Sequence, residues 1–207
     1  MKHLNQFITE YIVKKKLDKA IDSEDHYIYF PKTKQELIEN IKELVDKGET
    51  DFNCIDTSAI TNMSHLFDDI DINRNFDVSK WNVSNVEDMG HMFYAYENFD
   101  CDLSNWNVSK VKDMKYMFYK CENFTGKGLE NWDVSKVEDM QDMFEDCENF
   151  DCDLSKWDVS NVLNMEYMFR KCKKLNFDLS NWNVSKVKNT YNMFYGCNIL
   201  KNIPSWY

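Results

Sequence analysis

The feature that most constrains this chain is that it repeats itself. Trp81, Trp106, Trp132, Trp157 and Trp182 fall 25, 26, 25 and 25 residues apart, and self-similarity at such a period is the mark of stacked structural units. Around each Trp runs the phrase W-[ND]-V-S-x-V-x-x-[MT]-x-x-M-F, as in residues 81–93. A degenerate copy stands 26 residues earlier, with Ile55 at the Trp position and Ile60, Met63, Leu66 and Phe67 at the later ones. Six copies therefore span residues 55–207, and Trp206 closes a truncated last coil. Stacked coils of one kind give extended faces and no unique cleft, which favours a binding surface over an active site.

Two periods alternate inside each copy. Trp106 and Val108 share a side at spacing two, which predicts a short strand. Ser109 follows as a helix N-cap, and Ser84/Glu87 and Ser135/Glu138 have the spacing of capping boxes. Val111, Met114, Met117, Phe118 and Cys121 then lie at helical spacing, predicting two to three turns of helix. The fold class expected is an α/β repeat: a curved, leucine-rich-repeat-like solenoid with strands on the inner face, where packing is tighter than between helices. Residues 1–50 are not repeats and read as an N-terminal cap to a solenoid over 51–207. Leu4, Phe7, Ile8, Tyr11, Ile12 and Leu17 predict an amphipathic helix over 3–21, and Tyr27-Ile28-Tyr29-Phe30 a short strand stopped by Pro31. Thr33-Lys34-Gln35-Glu36 is a capping box opening a helix that carries Leu37, Ile38, Ile41, Leu44 and Val45 and ends at Gly48.

The repeat phrase, together with Phe30-Pro31-Lys32-Thr33-Lys34-Gln35-Glu36-Leu37 and residues 55–67, resembles the 26-residue repeat of bacterial surface proteins related to BspA-like leucine-rich repeats. The resemblance covers about residues 29–207. It implies a leucine-rich-repeat-like fold and an association with surface adhesion. Residues 1–10 lack the apolar run of a secretory signal, so no such signal is expected, a departure from that pattern. A second resemblance, to phage anti-CRISPR proteins built from such repeats, implies an RNA-guided nuclease as target.

Charge speaks most directly about partners. With 36 Asp+Glu against 25 Lys+Arg the net is -11, the wrong sign for displacing counterions from phosphates, so direct nucleic-acid binding is not expected. A basic protein is the expected partner. Between Glu130 and Asp153 ten carboxylates face one base, Lys136, and between Asp51 and Asp102 eleven face Arg74 and Lys80. Arg170, Lys171, Lys173, Lys174, Lys186, Lys188 and Lys201 make the C-terminal coil basic. No stretch of about 18 apolar residues is present, so no membrane span is expected, and without a secretory leader the expected location is the cytoplasm, with the cell surface as alternative.

The chemistry-bearing residue types fall in core columns. The methionines sit at i, i+3 beside Phe, as a core face requires, and no haem or copper ligand set accompanies them. Cys121, Cys147, Cys172 and Cys197 form a ladder whose rungs are too far apart to converge on a metal or to pair, and read as buried reduced thiols. His65 and His91 occupy equivalent positions and are expected to stack on one surface. No phosphate loop or catalytic triad is present. The expectation is a non-enzymatic interaction protein without cofactor or metal, which docks an acidic face on a basic partner such as a nucleic-acid-binding nuclease. The residues expected to dock are Glu138, Asp139, Asp142, Glu145, Asp146, Glu87 and Asp88, with Tyr116 and Tyr119 as anchors. The alternative is a bacterial surface adhesin.

Overall fold

The computed structural model describes residues 27–197 and 203–207; the helix expected over 3–21, with His3 and His26, lies outside them. Thr33 starts the helix as its sequence implies. Its hydroxyl accepts from the Glu36 amide at 3.2 Å, and the Glu36 carboxylate accepts from the Lys32 amide at 2.6 Å, closing the turn from the other side. Helix α1, Lys34–Asp46, buries Leu37, Ile41 and Leu44 in the same core as the first coils, and Lys34 Nζ donates to the Ser64 carbonyl at 2.9 Å. The short strand expected at Tyr27–Phe30 is reduced to one parallel bridge, Tyr29 to Ile55.

Beyond α1 the expected α/β leucine-rich-repeat solenoid, with a strand and a helix in every coil, does not form. Among the described residues α1 is the one α-helix, a 3-10 turn spans Leu129–Asn131, and in place of strands there are isolated parallel bridges. Most of these link one column, Asn62 to Asp88 to Asp113 to Asp139 to Asn164 to Asn189.

The backbone explains the missing helices. In the segment that reads as helical, alternate amides leave the coil. Met140, Asp142, Phe144 and Asp146 donate to the carbonyls of Asn164, Glu166, Met168 and Arg170 at 2.8–3.0 Å, while Met143, Glu145 and Cys147 donate three residues back. Each coil is thus a run of tight turns whose other amides join it to the next coil. Such turns need left-handed residues, and two columns supply them: His65, His91, Tyr116, Asp142, Tyr167 and Asn192, and then Ala95, Lys120, Asp146, Lys171 and Gly196, with φ between 51° and 79°. A left-handed residue in every second turn is incompatible with an α-helix. Ser84 and Ser135 accordingly cap no helix: their amides donate to Oδ1 of Asn82 and Asp133 at 3.1 Å, closing side-chain turns.

Side chains complete the joints. The indole Nε1 of Trp81, Trp106, Trp132, Trp157, Trp182 and Trp206 donates to the carbonyl of Phe52, Val78, Leu103, Leu129, Leu154 and Leu179, at 2.8–3.2 Å. The thiols of Cys121, Cys147, Cys172 and Cys197 donate to the carbonyls of Phe93, Phe118, Phe144 and Phe169 at 3.0–3.1 Å. Between them Phe93, Phe118, Phe144, Phe169 and Phe194 stack with centroids 5.5–5.9 Å apart. The paired methionines of the repeats are fully buried beside them.

Ala95 isolates the backbone requirement, being exposed and left-handed with φ 60°. Ala95→Val is expected to cost about 1–2 kcal/mol, because a β-branched side chain fits that region worst. Ala95→Gly is expected to leave the chain at least as stable. Urea denaturation of both checks this; equal effects would mean that the turn does not limit stability.

Candidate functional site

The left-handed columns determine what one side of the stack displays. The first carries His65, His91, Tyr116, Asp142 and Tyr167, and a column three residues on carries Asp68, Tyr94, Tyr119, Glu145, Arg170 and Tyr195. The rings of His65 and His91 stack at 4.3 Å and those of His91 and Tyr116 at 4.6 Å. Tyr94 and Tyr119 stack at 4.7 Å beside them, and Tyr116 meets Tyr119 edge-on at 5.7 Å. His65 Nδ1 lies 2.8 Å from the Asp68 carboxylate. Burial and the neighbouring His65 hold the His91 imidazole below the ordinary histidine range. The ribbon resumes at the C-terminal end, where Arg170 lies over the rings of Tyr167 and Tyr195, 5.3 and 5.8 Å from their centroids.

Between these aromatic stretches sits a buried acid pair. Asp142 and Glu145 are each 3% exposed. The Tyr116 hydroxyl accepts from Gln141 Nε2 at 2.9 Å, and Arg170 Nη1 donates to Glu145. Burial first, and then the Asp142 carboxyl, push Glu145 above the ordinary carboxylate range against the pull of Arg170.

The residues expected to form one acidic patch are distributed over several environments. Tyr116 and Tyr119 are half-buried in the ribbon, and Asp142 and Glu145 lie beneath it. Asp146 pairs with Lys171 at 2.9 Å. Asp88 and Asp139 belong to the bridging column: Asp88 Oδ1 accepts from the Gly90 amide and Asp139 Oδ1 from that of Gln141, at 3.0 and 2.9 Å. Burial raises the Asp139 carboxyl. Glu87 and Glu138 are exposed on another column, with Lys112 between them, and Lys112 bonds Glu87 at 2.7 Å. The hydrogen bond from Lys112 holds the Glu87 carboxyl below its usual range.

The sequence reading missed what faces what across a joint. Arg170, Lys171 and Lys173 meet Glu145, Asp146 and Glu148, each pair 25 residues apart. Aligning neighbouring copies exposes that signal, as cross-strand pairing does in a sheet. The basic coil thus pairs with three carboxylates of the acidic one, and a second acid excess, between Asp51 and Asp102, lies nearer the N-terminal end. There Asp68, Asp69, Asp71 and Glu97 are exposed, Asp68 against the His65 ring.

The thiols are held as hydrogen-bond donors. Cys121, Cys147 and Cys172 are fully buried, and burial raises each above the ordinary thiol range, the reverse of what activates a cysteine nucleophile. Among the described residues no group of three or more His, Cys, Asp or Glu is placed to hold a metal, and no helix is long and apolar enough to cross a membrane.

The acid pair gives a pH signature. A carboxyl raised in the folded state contributes stability that is full below its ordinary pKa, near 4.5, and is lost as pH climbs through the raised value. Asp142→Asn keeps a residue tolerant of the left-handed backbone and removes the neighbouring charge. It is expected to raise the thermal midpoint at pH 8 by a few degrees and to change it little at pH 5. An equal shift at both pH values would mean that the two carboxyls do not compete for protons.

Comparison with known proteins places the sequence without assigning it a reaction. A family model described as "Mycoplasma protein of unknown function, DUF285" matches residues 35–128 and again 120–207. No curated protein and no solved structure matches the chain. The two family matches together span residues 35–207, all of the repeats and all but the first residue of α1, and the chain belongs to this DUF285 family of Mycoplasma proteins of unknown function.

Proposed function

We propose that the chain is a non-enzymatic, cytoplasmic protein-binding module whose ring ribbon and adjoining acidic coils dock on a basic partner. The observation that carries this reading is the coincidence of two features on one side of the stack. The rings of His65, His91 and Tyr116 stack in one row that meets the stacked pair Tyr94 and Tyr119 edge-on, and Asp68 stands exposed against His65, with Asp69, Asp71 and Glu97 exposed in the same coils.

Stacking occupies the ring faces, so the ribbon offers ring edges and hydroxyls on a backbone fixed at every joint. Rigid tyrosines of this kind are favourable anchors because little entropy is lost when they bind. The carboxylates around them add attraction and speed of encounter toward a positive surface. Narrowed further, the reading makes the partner a nucleic-acid-binding enzyme such as an RNA-guided nuclease, since such enzymes carry the basic surfaces that an acidic face complements.

Affinity capture from lysate tests this, with the wild-type chain and a Tyr94→Ala/Tyr119→Ala variant as paired baits at low and high salt. Basic proteins held by the wild type at low salt are expected to be lost at high salt, and their retention by the variant to fall by tenfold or more, about 1.4 kcal/mol or greater. Circular dichroism confirms that the variant folds. Identical captures from both baits would overturn the docking site, and partners indifferent to salt would overturn the charge complementarity.

A further inference from the structure

Two ionisable rings of the ribbon are held face to face by the backbone. The amides of His65 and His91 donate to the carbonyls of Gly90 and Lys115, each at 2.9 Å, so each histidine is tied at its own main chain to the next coil. Both lie in the left-handed region, with φ of 53° and 59°. The two imidazoles stack at 4.3 Å with 14° between their planes, and Tyr116 continues the row at 4.6 Å. The coils cannot separate without breaking the joint, so any repulsion between the rings has to be relieved by the side chains.

The surroundings of the two rings are unequal. His65 is exposed, and its Nδ1 lies 2.8 Å from the Asp68 carboxylate, so a proton there is met by an opposite charge. Lys34 of α1 reaches the same turn, its Nζ donating to the Ser64 carbonyl at 2.9 Å. His91 is sandwiched between His65 and Tyr116, with the Tyr94 ring of its own coil 5.5 Å away. Among the described residues the His91 ring has no hydrogen-bond or ion-pair partner. The charges that reach it are His65 and Asp68 from the coil before, and Lys115 and Asp113 from the coil after. Burial first, and then His65, hold it below the ordinary histidine value of 6.5.

We infer that the His65–His91 stack is an acid-operated release for the ring ribbon: when both rings carry a proton they part, and a basic partner docked there is let go. The inference rests on the docking reading above and adds its regulation. Two imidazolium rings at stacking distance repel each other. The face of Tyr116 favours a cation and holds a charged His91 in place, so the exposed His65 is the ring that swings away. Charge acts in the same direction. A protonated His65 engages Asp68, and the two added positive charges oppose a basic surface where a carboxylate had attracted it. Stability has the same sign: a histidine held below its ordinary value contributes stability that is full above about pH 6.5 and is lost as pH falls through the lowered value. Acid therefore loosens the row, and a return to neutral pH restores it.

NMR and a basic probe test this on the full chain. The imidazole signals of His65 and His91, assigned with His65→Asn and His91→Asn, are followed from pH 8 to pH 4.5; asparagine tolerates the left-handed backbone. His91 is expected to titrate second, and cross-relaxation between the two rings to vanish in that step and return on neutralisation. His65→Asn is expected to raise the His91 midpoint. A half-buried histidine with a purely structural role would keep its ring contact throughout. The probe is decalysine, whose charge is constant over this range. The wild type is expected to bind it about tenfold or more weakly at pH 5 than at pH 7.5, and His65→Asn/His91→Asn to bind it within about threefold at the two values. Ring contact that survives the second protonation, or an undiminished pH dependence in the double variant, would overturn the release. Failure of the wild type to bind decalysine at pH 7.5 would overturn the docking reading and the release with it, while the ring titration still judges the stack by itself.

Discussion

Everything in this structure depends on one arrangement of backbone hydrogen bonds, in which alternate amides of a coil turn back on themselves and the others reach the next coil. Neither set suffices by itself. The local bonds close tight turns that a lone coil could not hold, because its apolar residues would face water on both sides. The bonds between coils need carbonyls aimed along the stack, which the left-handed residues at columns such as Tyr116 and Lys120 provide. The backbone cost of those residues is met by joining neighbours, so no copy folds without another beside it.

Side chains reinforce the joint by the same logic. A tryptophan is large enough to fill the core and has one donor, which each repeat Trp spends on a carbonyl of the preceding coil. A cysteine does this on a smaller scale, and Tyr96 takes the cysteine's place in one coil by donating its hydroxyl to the Phe67 carbonyl at 2.7 Å. Cysteine and tyrosine share that column because both can reach and donate. The column is therefore a hydrogen-bonding one as much as an apolar one.

How much of this was legible differs by level. The tryptophan period, the buried methionines and phenylalanines, and the cap at Thr33 could all be read, because burial and capping leave marks within a single repeat. The helix in each repeat was misread because Met114, Met117 and Phe118 have a spacing that a run of turns shares with a helical face. The distinguishing mark was in the columns: Asp142, Asp146, Asn192 and Gly196 are the residue types that tolerate positive φ, and they align with Tyr116 and Lys120. The acidic surface was misread for a related reason. Charge was counted along the chain, whereas Glu145, Asp146 and Glu148 meet bases 25 residues away. No residue-by-residue reading shows that Asp142 is buried while Glu138 is exposed, because that depends on which side of a turn faces the neighbouring coil.

The charge pairs across the joint between Glu145–Glu148 and Arg170–Lys173 have a consequence for how such a gene can change. Tandem copies this alike invite recombination that deletes or duplicates one of them, and every product would keep the tryptophan and methionine columns. Loss of the copy holding Glu145, Asp146 and Glu148 would set Lys120 against Lys171 and leave Arg170 facing Tyr119. Such a product would preserve the core and place like charges at the joint. The divergence among copies thus acts as a record of order, and it restricts which copies can be lost or exchanged.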